Sequence, residues 1–502
     1  MKKSAIMAVL AALTLTVSAC GNTGSAGASV TEASSDTAAA EGEDGSSGEK
    51  PGDPPDGEGG SGDQQGNPPD GKGGPGDQEG NPPDGNGGPG GAPGSSAADV
   101  VYSGATEITS AASEDGQTYS SDTADQSALM ITAGDNVTIS NATVSKTGDS
   151  DGGDNCNFYG QNAAVLVKDG TTATITGATI TSDANGANGV FSYGGNGGQN
   201  GEDGDGTKVI IRDSTITTTG DGSGGIMTTG GGTTEASNLT VHTSGQSSAA
   251  IRTDRGGGTV MVDGGSYTTD GLGSPAIYST ADITVSNAVL TSNLSEGTCI
   301  EGLNSITLND CDLTANNTKC NGNATFYDSI MIYQSMSGDA ASGTSSFTMN
   351  GGSLTSKNGH VFHVTNTDAV ITLSGVEIDN QDSDNILLSV CDDGWSGGSN
   401  IAELNASGQT LEGSILVGDN STLTMNLSDH SSLTGSIGGE IVNASGEKVS
   451  DEVGTVSVTL DDDSTWTLTA DSYVTDFTGD ASNVISNGYK LYVNGSALAG
   501  TN

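Results

Sequence analysis

The stretch ITVSNAVL at 283–290 recurs 23 residues later as ITLNDCDL at 306–313. Other copies of this pattern are VTISNATV at 137–144, ATITGATI at 173–180, VIIRDSTI at 209–216 and ITLSGVEI at 371–378. Positions one and three are mostly apolar, position five is Asn, Asp or Gly, position six is usually small, and position eight is apolar. Alternation at the start predicts a strand with one buried face, and the residue at five favours a left-handed turn into a second strand.

The spacing of the copies sets the architecture. Copies that start at 260, 283 and 306 lie 23 residues apart, and those at 347 and 371 lie 24 apart. A third strand is predicted where a small residue precedes an apolar one between copies, at Gly189-Val190, Gly225-Ile226, Ala250-Ile251, Ala276-Ile277 and Cys299-Ile300. Three strands in such a period predict an all-β, parallel β-helix of roughly 17 coils and ~80 Å. An antiparallel β-sandwich is the alternative, although its strands are not expected to repeat one register so often.

The N-terminus has the features of an export signal. Lys2 and Lys3 precede an apolar stretch at 5–17 that is too short to span a bilayer, and small residues lead to Cys20. The segment VSAC at 17–20 resembles the bacterial lipobox, which implies a signal peptide at 1–19 and a lipid on Cys20. An ordinary secretory signal with a chance cysteine is the alternative.

Residues 20–98 form a predicted linker. Gly, Pro, Asp and Ser dominate this segment, and near-copies GNPPDGKGGPGDQEG and GNPPDGNGGPG begin at Gly66 and Gly80. Too few large apolar side chains are present to offset the entropy of ordering the chain, so we expect an extended, disordered tether. Glycine does not occupy every third position, which excludes collagen.

Charge limits the partners. The net charge is -49 with only 14 Lys and Arg residues, so no basic patch is available for nucleic acid. An acidic polysaccharide would be repelled unless a metal ion bridged the two. We expect a monomer whose partner is a glycan or a matrix or host protein.

Acidic residues cluster in polar insertions at 148–160 and 192–207. A third insertion lies at 338–345, and all three are predicted rim loops that either face a ligand or only vary in length. Closely spaced carboxylates can hold calcium, with solvated acidic loops as the alternative. The candidate ligands are Asp149, Asp151, Asp154, Glu202, Asp203 and Asp205.

Five cysteines follow Cys20, at positions 156, 299, 311, 320 and 391. Their odd number rules out complete intramolecular pairing, and no spacing matches a zinc site. Cys299 and Cys320 lie nearly one coil apart, which makes them the most reasonable disulfide, although Cys299 also fits a buried small position.

No catalytic residue is predicted. His360 and His363 lie three apart on a predicted strand, where side chains point to opposite faces, so a shared metal is not expected. Arg252 and Arg255 flank Asp254 after another predicted strand. Such neighbours arise by chance in a chain with 63 acidic residues.

The β-helix is assigned to 99–400, and its last coils with an aromatic cap to 401–502. The tail STWTLTADSYVTDFTGDASNVISNGYKLYVNG at 464–495 concentrates the aromatic residues. An open coil end needs a cover, so a cap is predicted, with a sugar-stacking module as the alternative.

From 100 to 494 these features resemble the right-handed parallel β-helix surface proteins of bacteria, both adhesin-like and pectate-lyase-like. The segment at 329–366 and the tail are similar to secreted β-helix proteins of anaerobic Gram-positive gut bacteria. The resemblance implies a surface adhesin or carbohydrate-binding lipoprotein on the extracellular face of the membrane, the outer one if the source has two. A polysaccharide lyase or glycoside hydrolase and a structural spacer are the alternatives.

Overall fold

A computed structural model describes residues 100–150, 153–196 and 204–502, all within one compact unit, Gln78–Asn502. The predicted signal, Cys20 and the linker up to residue 98 lie outside the described residues. Among the residues that are described, no helix is both long enough and apolar enough to span a bilayer.

Strands account for nearly all the regular structure. The described helices are α1, Asp154–Tyr159, and a 3-10 helix, Ala481–Asn483. The strands are β1 Gly104–Ile108, β2 Ala112–Asp115, β3 Thr118–Ser121, β4 Ser127–Ile131, β5 Asn136–Ser140, β6 Thr143–Lys146, β7 Val165–Val167, β8 Thr172–Thr176, β9 Thr179–Ser182, β10 Val190–Tyr193, β11 Lys208–Arg212, β12 Thr215–Thr218, β13 Ile226–Thr229, β14 Gly232–Thr243, β15 Ile251–Thr253, β16 Gly258–Thr269, β17 Ile277–Ser279, β18 Asp282–Ser286, β19 Val289–Ser292, β20 Thr298–Glu301, β21 Ser305–Asn309, β22 Asp312–Ala315, β23 Asp328–Tyr333, β24 Thr344–Asn350, β25 Ser353–Ser356, β26 His360–Thr365, β27 Thr367–Ser374, β28 Glu377–Asn380, β29 Ile386–Val390, β30 Asn400–Ser407, β31 Thr410–Glu412, β32 Ser414–Val417, β33 Ser421–Ser428, β34 Ser432–Gly435, β35 Ile437–Gly438, β36 Ile441–Val442, β37 Lys448–Ser450, β38 Thr455–Leu460, β39 Thr465–Leu468, β40 Ser472–Val474, β41 Asp476–Thr478, β42 Val484–Ile485, β43 Leu491–Val493 and β44 Ser496–Ala497.

These strands build a parallel β-helix, as the repeat predicts. One coil consists of β18, β19 and β20, and each strand pairs in parallel with its counterpart one coil later: β18 with β21, β19 with β22, β20 with β23. Ile283 lies opposite Ile306, so equivalent positions of the sequence pattern stack. The third strands of successive coils form a thirteen-stranded sheet from β1 to β35, which we call the third sheet.

The predicted left-handed turns are present. Position five of the pattern has a positive φ in every copy that was quoted: Asn141 (52°), Gly177 (66°), Asp213 (48°), Asn287 (56°), Asp310 (49°) and Gly375 (63°). Asn and Asp tolerate this conformation better than other residues with a side chain. They also connect coils, since Nδ2 of Asn287 donates to the carboxylate of Asp263 at 2.7 Å.

The core is a continuous stack of apolar side chains inside the coils. Ile283, Ile306, Phe347 and Ile371 lie one above another through the register of their strands and are all fully buried. Each buried methylene contributes about 0.8 kcal/mol. Long runs of such stacks stabilise a fold whose coils contact only their neighbours.

The C-terminal end departs from the parallel pattern. Trp466 on β39 is fully buried, and its indole N–H donates to the carbonyl of Gly435 at 3.0 Å. The last two strands, β43 and β44, pair antiparallel. This arrangement is the predicted β cap, although the stacked rings of Tyr473 and Tyr492, 5.1 Å apart, lie outside the core, and Tyr473 is exposed.

Candidate functional site

The third sheet carries a row of side chains that point away from the core. Inward residues such as Ile251 and Ile277 alternate with outward neighbours such as Arg252 and Tyr278, as expected of a strand. In register, the outward row, here called the outer column, is Met130, Leu166, Phe191, Met227, Arg252, Tyr278, Cys299, Met331, His363, Ser389 and Leu416.

The outer column changes character along the helix. Its first four residues are apolar, and three of them, Leu166, Phe191 and Met227, are completely buried with Phe158 and Tyr159 of α1 in a cluster outside the coils. Helix α1 therefore covers the apolar part of the column. From Arg252 to Ser389 polar residues alternate with apolar ones such as Met331, and this stretch is called the polar part of the column.

A groove with a cavity volume of about 440 Å³ opens over the polar part of the outer column. It is lined by α1, by the third strands β15, β17, β20 and β23, by the segment 321–324 and by Trp395. Asp339 of the third predicted rim insertion also lines it. Residues of two predicted insertions, 148–160 and 338–345, thus reach this surface.

Two arginines on the groove wall are held by carboxylates. Arg252 contacts Asp254 at 2.8 Å, and Arg255 contacts Asp339 at 2.5 Å. Arg255 also lies over the ring of Phe158, 4.3 Å from its centroid. Burial raises the pKa of Asp254 to about 7, although the Arg252 guanidinium opposes this shift. The sequence places Arg252, Asp254 and Arg255 close together but assigns them no function. The pairing of Arg255 with Asp339 depends on an insertion 84 residues away.

Glu301 is the other polar centre of the groove. Its carboxylate accepts hydrogen bonds from the hydroxyls of Tyr278 at 2.5 Å, Tyr333 at 3.2 Å and Ser335. Only 1% of Glu301 is exposed, and burial raises its pKa while these hydrogen bonds oppose the shift. The ring of Trp395 lies 4.8 Å from that of Tyr333, and both line the groove.

Asp254 and Glu301 occupy equivalent positions of coils that are two apart. Asp254 follows Thr253 as Glu301 follows Ile300, and the register places Thr280 between them. At one strand spacing per coil their backbones are roughly 10 Å apart. Two buried carboxyl groups with raised pKa values therefore line one cavity.

Next along the outer column is a cluster of His360, His363, Ser389 and Asp393. Nδ1 of each histidine lies 2.7 Å from the hydroxyl oxygen of Ser389, and Nε2 of His363 lies 3.3 Å from the carboxylate of Asp393. The prediction that the two histidines face apart is wrong. His360 begins β26, where Val361 and Phe362 both enter the core, so strict alternation has not yet started.

This histidine cluster is closed to solvent. The ring of Phe326 packs on both histidines, with centroids 4.8 Å from His363 and 5.3 Å from His360. Burial lowers the pKa of His360 to about 3, so the imidazole is neutral. Asp393 also accepts hydrogen bonds from the backbone and hydroxyl of Thr325, which ties the covering segment down. We interpret the cluster as packing beneath that segment.

Three of the six predicted calcium ligands, Asp149, Asp154 and Asp205, belong to the described residues. Asp149 accepts the backbone N–H of Asn185 at 2.8 Å, and Asp205 accepts both the N–H and the hydroxyl of Thr207. Asp154 begins α1 and lines the groove instead. The remaining three, Asp151, Glu202 and Asp203, lie outside the described residues. Across 100–150, 153–196 and 204–502, no three His, Cys, Asp or Glu side chains are grouped so as to hold a metal ion.

The predicted disulfide between Cys299 and Cys320 is absent, since no disulfide joins any two cysteines of the described residues. The register explains the difference, because the residue one coil after Cys299 is Met331. Cys320 lies instead in the insertion between β22 and β23, where its thiol donates to the carbonyl of Phe326 at 3.4 Å. The spacing of the copies at 306 and 347 indicates an insertion, but the prediction from sequence places it at 338–345 and does not identify the loop between β22 and β23.

Sequence reasoning missed Tyr278, Glu301, Tyr333 and Trp395. The first two could have been found, because each directly follows the small-apolar pair that marks a third strand, at an outward position. Tyr333 lies within the long segment that precedes the copy at 347, and Trp395 lies in a loop without any repeat signal.

No family model, no curated protein and no solved structure shows a significant match to this chain.

Proposed function

We propose that this chain is a cell-surface lipoprotein that binds a glycan in the groove of the third sheet. The observation that supports this most is the pairing, in one open cavity, of aromatic rings with fixed hydrogen-bonding groups. Tyr278 and Trp395 are partly exposed, and Arg252, Asp254 and Glu301 lie beside them.

Sugar rings have the complementary chemistry. Their C–H faces pack on aromatic rings, and their hydroxyls exchange hydrogen bonds with carboxylates and guanidinium groups. The ion pair between Arg252 and Asp254 already holds both side chains in place. Binding then requires little further loss of side-chain entropy, which favours affinity.

Charge favours a neutral glycan over an acidic one. Against the two arginines, the groove carries five carboxyl groups, at Asp154, Asp254, Glu296, Glu301 and Asp339. The whole chain is strongly acidic as well. Uronic acids or sulfated sugars would meet repulsion before contact.

The test is retention of the purified chain on a glycan array, with calcium and again with a chelator. Trp395→Ala is expected to weaken binding by about tenfold or more, because one stacking surface is worth about 1–3 kcal/mol. Tyr473→Ala is the matched control, since Tyr473 is an exposed aromatic of the cap. Equal loss in both variants would contradict a groove site, and loss only with Tyr473→Ala would place the site in the cap. No retention on any glycan would favour a matrix or host protein, or a spacer role.

Anchoring rests on the N-terminal sequence. We propose that a lipid on Cys20 holds the chain on the extracellular face of the membrane and that residues 20–98 separate the body from the lipid surface. Labelling with a palmitate analogue is expected to mark the wild-type chain and not Cys20→Ala. Equal labelling of both would contradict the lipidation site.

Glycoside hydrolysis is the second candidate function, favoured by the positions of Asp254 and Glu301. Inverting hydrolases keep two carboxyl groups about 6.5–9.5 Å apart, one as acid and one as base. A buried carboxyl group that remains protonated near neutral pH suits the acid. If the groove is catalytic, Asp254→Asn and Glu301→Gln are each expected to abolish release of reducing ends from a bound glycan while retention persists. If the wild-type chain retains a glycan but releases no reducing ends, hydrolysis is contradicted and only the binding function is supported.

A further inference from the structure

A second cluster of polar side chains begins at the edge of the groove and continues among buried residues. Glu296 precedes β20 and lines the groove, Asn317 follows β22, and Asp328 begins β23. All three are buried, with 5%, 0% and 1% of each residue exposed. The chain between Asn317 and Asp328 includes the segment 321–324 that forms one wall of the groove.

Two of these three residues, Asn317 and Asp328, have side-chain oxygens that no donor reaches. Neither carboxylate oxygen of Asp328 has a hydrogen-bond partner. The side-chain oxygen of Asn317 has none either. The amide of Asn317 donates to Glu296 at 3.3 Å, so its unpartnered oxygen belongs to the same cluster. The hydroxyl of Ser295 and a backbone N–H also donate to the Glu296 carboxylate.

Such an arrangement is costly as it stands. A buried carboxylate without a counter-charge or a hydrogen bond is strongly destabilising. Burial raises the pKa of Asp328, and its charged neighbours Glu296 and Asp393 are both acidic and raise it further. Protonation would give the cluster a single donor for the unpartnered oxygens of two side chains. A cation can accept lone pairs from all the unpartnered oxygens of Asn317 and Asp328 at once.

We propose that Glu296, Asn317 and Asp328 bind a hard divalent cation of the calcium class. Carboxylate and amide oxygens are the ligands that Ca²⁺ prefers, and its six to eight positions are commonly completed by backbone carbonyls and water. The site is distinct from the calcium ligands predicted in the insertions at 148–160 and 192–207. Asn317 and Asp328 mark the two ends of the insertion between β22 and β23, and Glu296 lies in the loop before β20. A cation bound to all three residues links these segments and so stiffens the groove wall at 321–324.

The experiment measures Ca²⁺ uptake and thermal unfolding of the chelator-stripped full chain. Asp328→Asn keeps the shape of the side chain and removes its charge. It is expected to bind one Ca²⁺ fewer than the wild-type chain, or to bind that ion more than about 100-fold more weakly, because even the loss of an outer partner of a metal ligand costs 10- to 100-fold. Asp379→Asn, at an exposed aspartate of β28, is the control and should match the wild type.

A second variant covers the case in which Asp328→Asn fails to fold. Asn317→Asp turns the amide oxygen into a carboxylate, so it is expected to bind Ca²⁺ more tightly and to unfold at a lower temperature when stripped of metal. Unchanged Ca²⁺ stoichiometry and affinity in a folded Asp328→Asn chain would overturn the proposal, as would unchanged affinity in Asn317→Asp. A more stable Asp328→Asn chain with no change in uptake would assign a protonated Asp328 and a buried water instead.

Discussion

Truncation of Trp466 tests whether the C-terminal end acts as a cap. The side chain is fully buried on β39 between Leu433 of the preceding coil and Val484 of the next, and it donates to the Gly435 carbonyl. Replacing a buried Trp with Ala costs about 3–5 kcal/mol through lost burial and the cavity that remains. Since coils contact only their neighbours, we expect the loss to be concentrated in the last coils.

Hydrogen exchange resolves this prediction strand by strand. A loss of 3–5 kcal/mol corresponds to roughly 150- to 4,000-fold faster amide exchange, at about 1.4 kcal/mol per factor of ten. Trp466→Ala should show this acceleration in β38 to β43 and leave β5 to β9 unchanged. Trp466→Phe keeps most of the ring and loses the N–H donor, so a smaller change of about 1–3 kcal/mol is expected. Equal acceleration at both ends would refute local capping, and no acceleration would refute Trp466 as the core of the cap.

Substitutions at three further positions test the charge, turn and packing arguments. Because burial raises the pKa of Asp254 from 3.8 to about 7, the folded chain holds a proton that the unfolded chain releases, and stability should fall as pH rises from about 4 to 7. Asp254→Asn should flatten that part of a plot of unfolding free energy against pH, and an unchanged slope would contradict the assignment. Asn287→Ala should lower the unfolding free energy, measured in urea, by about 1–2 kcal/mol, because alanine is strained in the left-handed conformation and the hydrogen bond to Asp263 is lost. Asn287→Gly loses the same hydrogen bond but tolerates the conformation, so it should cost less. Gly352→Ala should cost more than about 2 kcal/mol in the same assay, since its Cβ would lie 2.0 Å from the carbonyl oxygen of Cys311 at a φ of +72°; a neutral result would show that the coils separate locally.

The repeat made the coil largely predictable. Position five of the pattern identified turn residues such as Asn287 and Asp310, and the small-apolar pairs identified third strands such as β17 and β20. These features are local, because strand alternation and turn conformation depend on a few neighbouring residues. The same alternation failed at His360, where the chain enters β26 from a loop.

The groove was much less predictable. The partners Arg255 and Asp339 lie 84 residues apart, and insertions bring them together without leaving any periodic signal. Cys320 illustrates the same limit, because its distance from Cys299 in sequence matches a coil while its position in space belongs to a loop. Sites built from insertions depend on where each loop folds back, and the coil repeat does not encode this.

The 23-residue offset between paired strands has a consequence for the length of the body. Asp282 pairs with Ser305 and Ile283 with Ile306, and both members of each pair hold equivalent places in their coils. Removing 23 residues at this point would restore equivalent backbone partners and the same inward and outward faces, but it would also delete Glu296 and Glu301 from the groove. Coil number and groove chemistry are therefore separable only for coils that lie outside the groove. Coils added before β5 or after β33 would change how far the chain reaches and leave the residues around Tyr278 and Glu301 as they are.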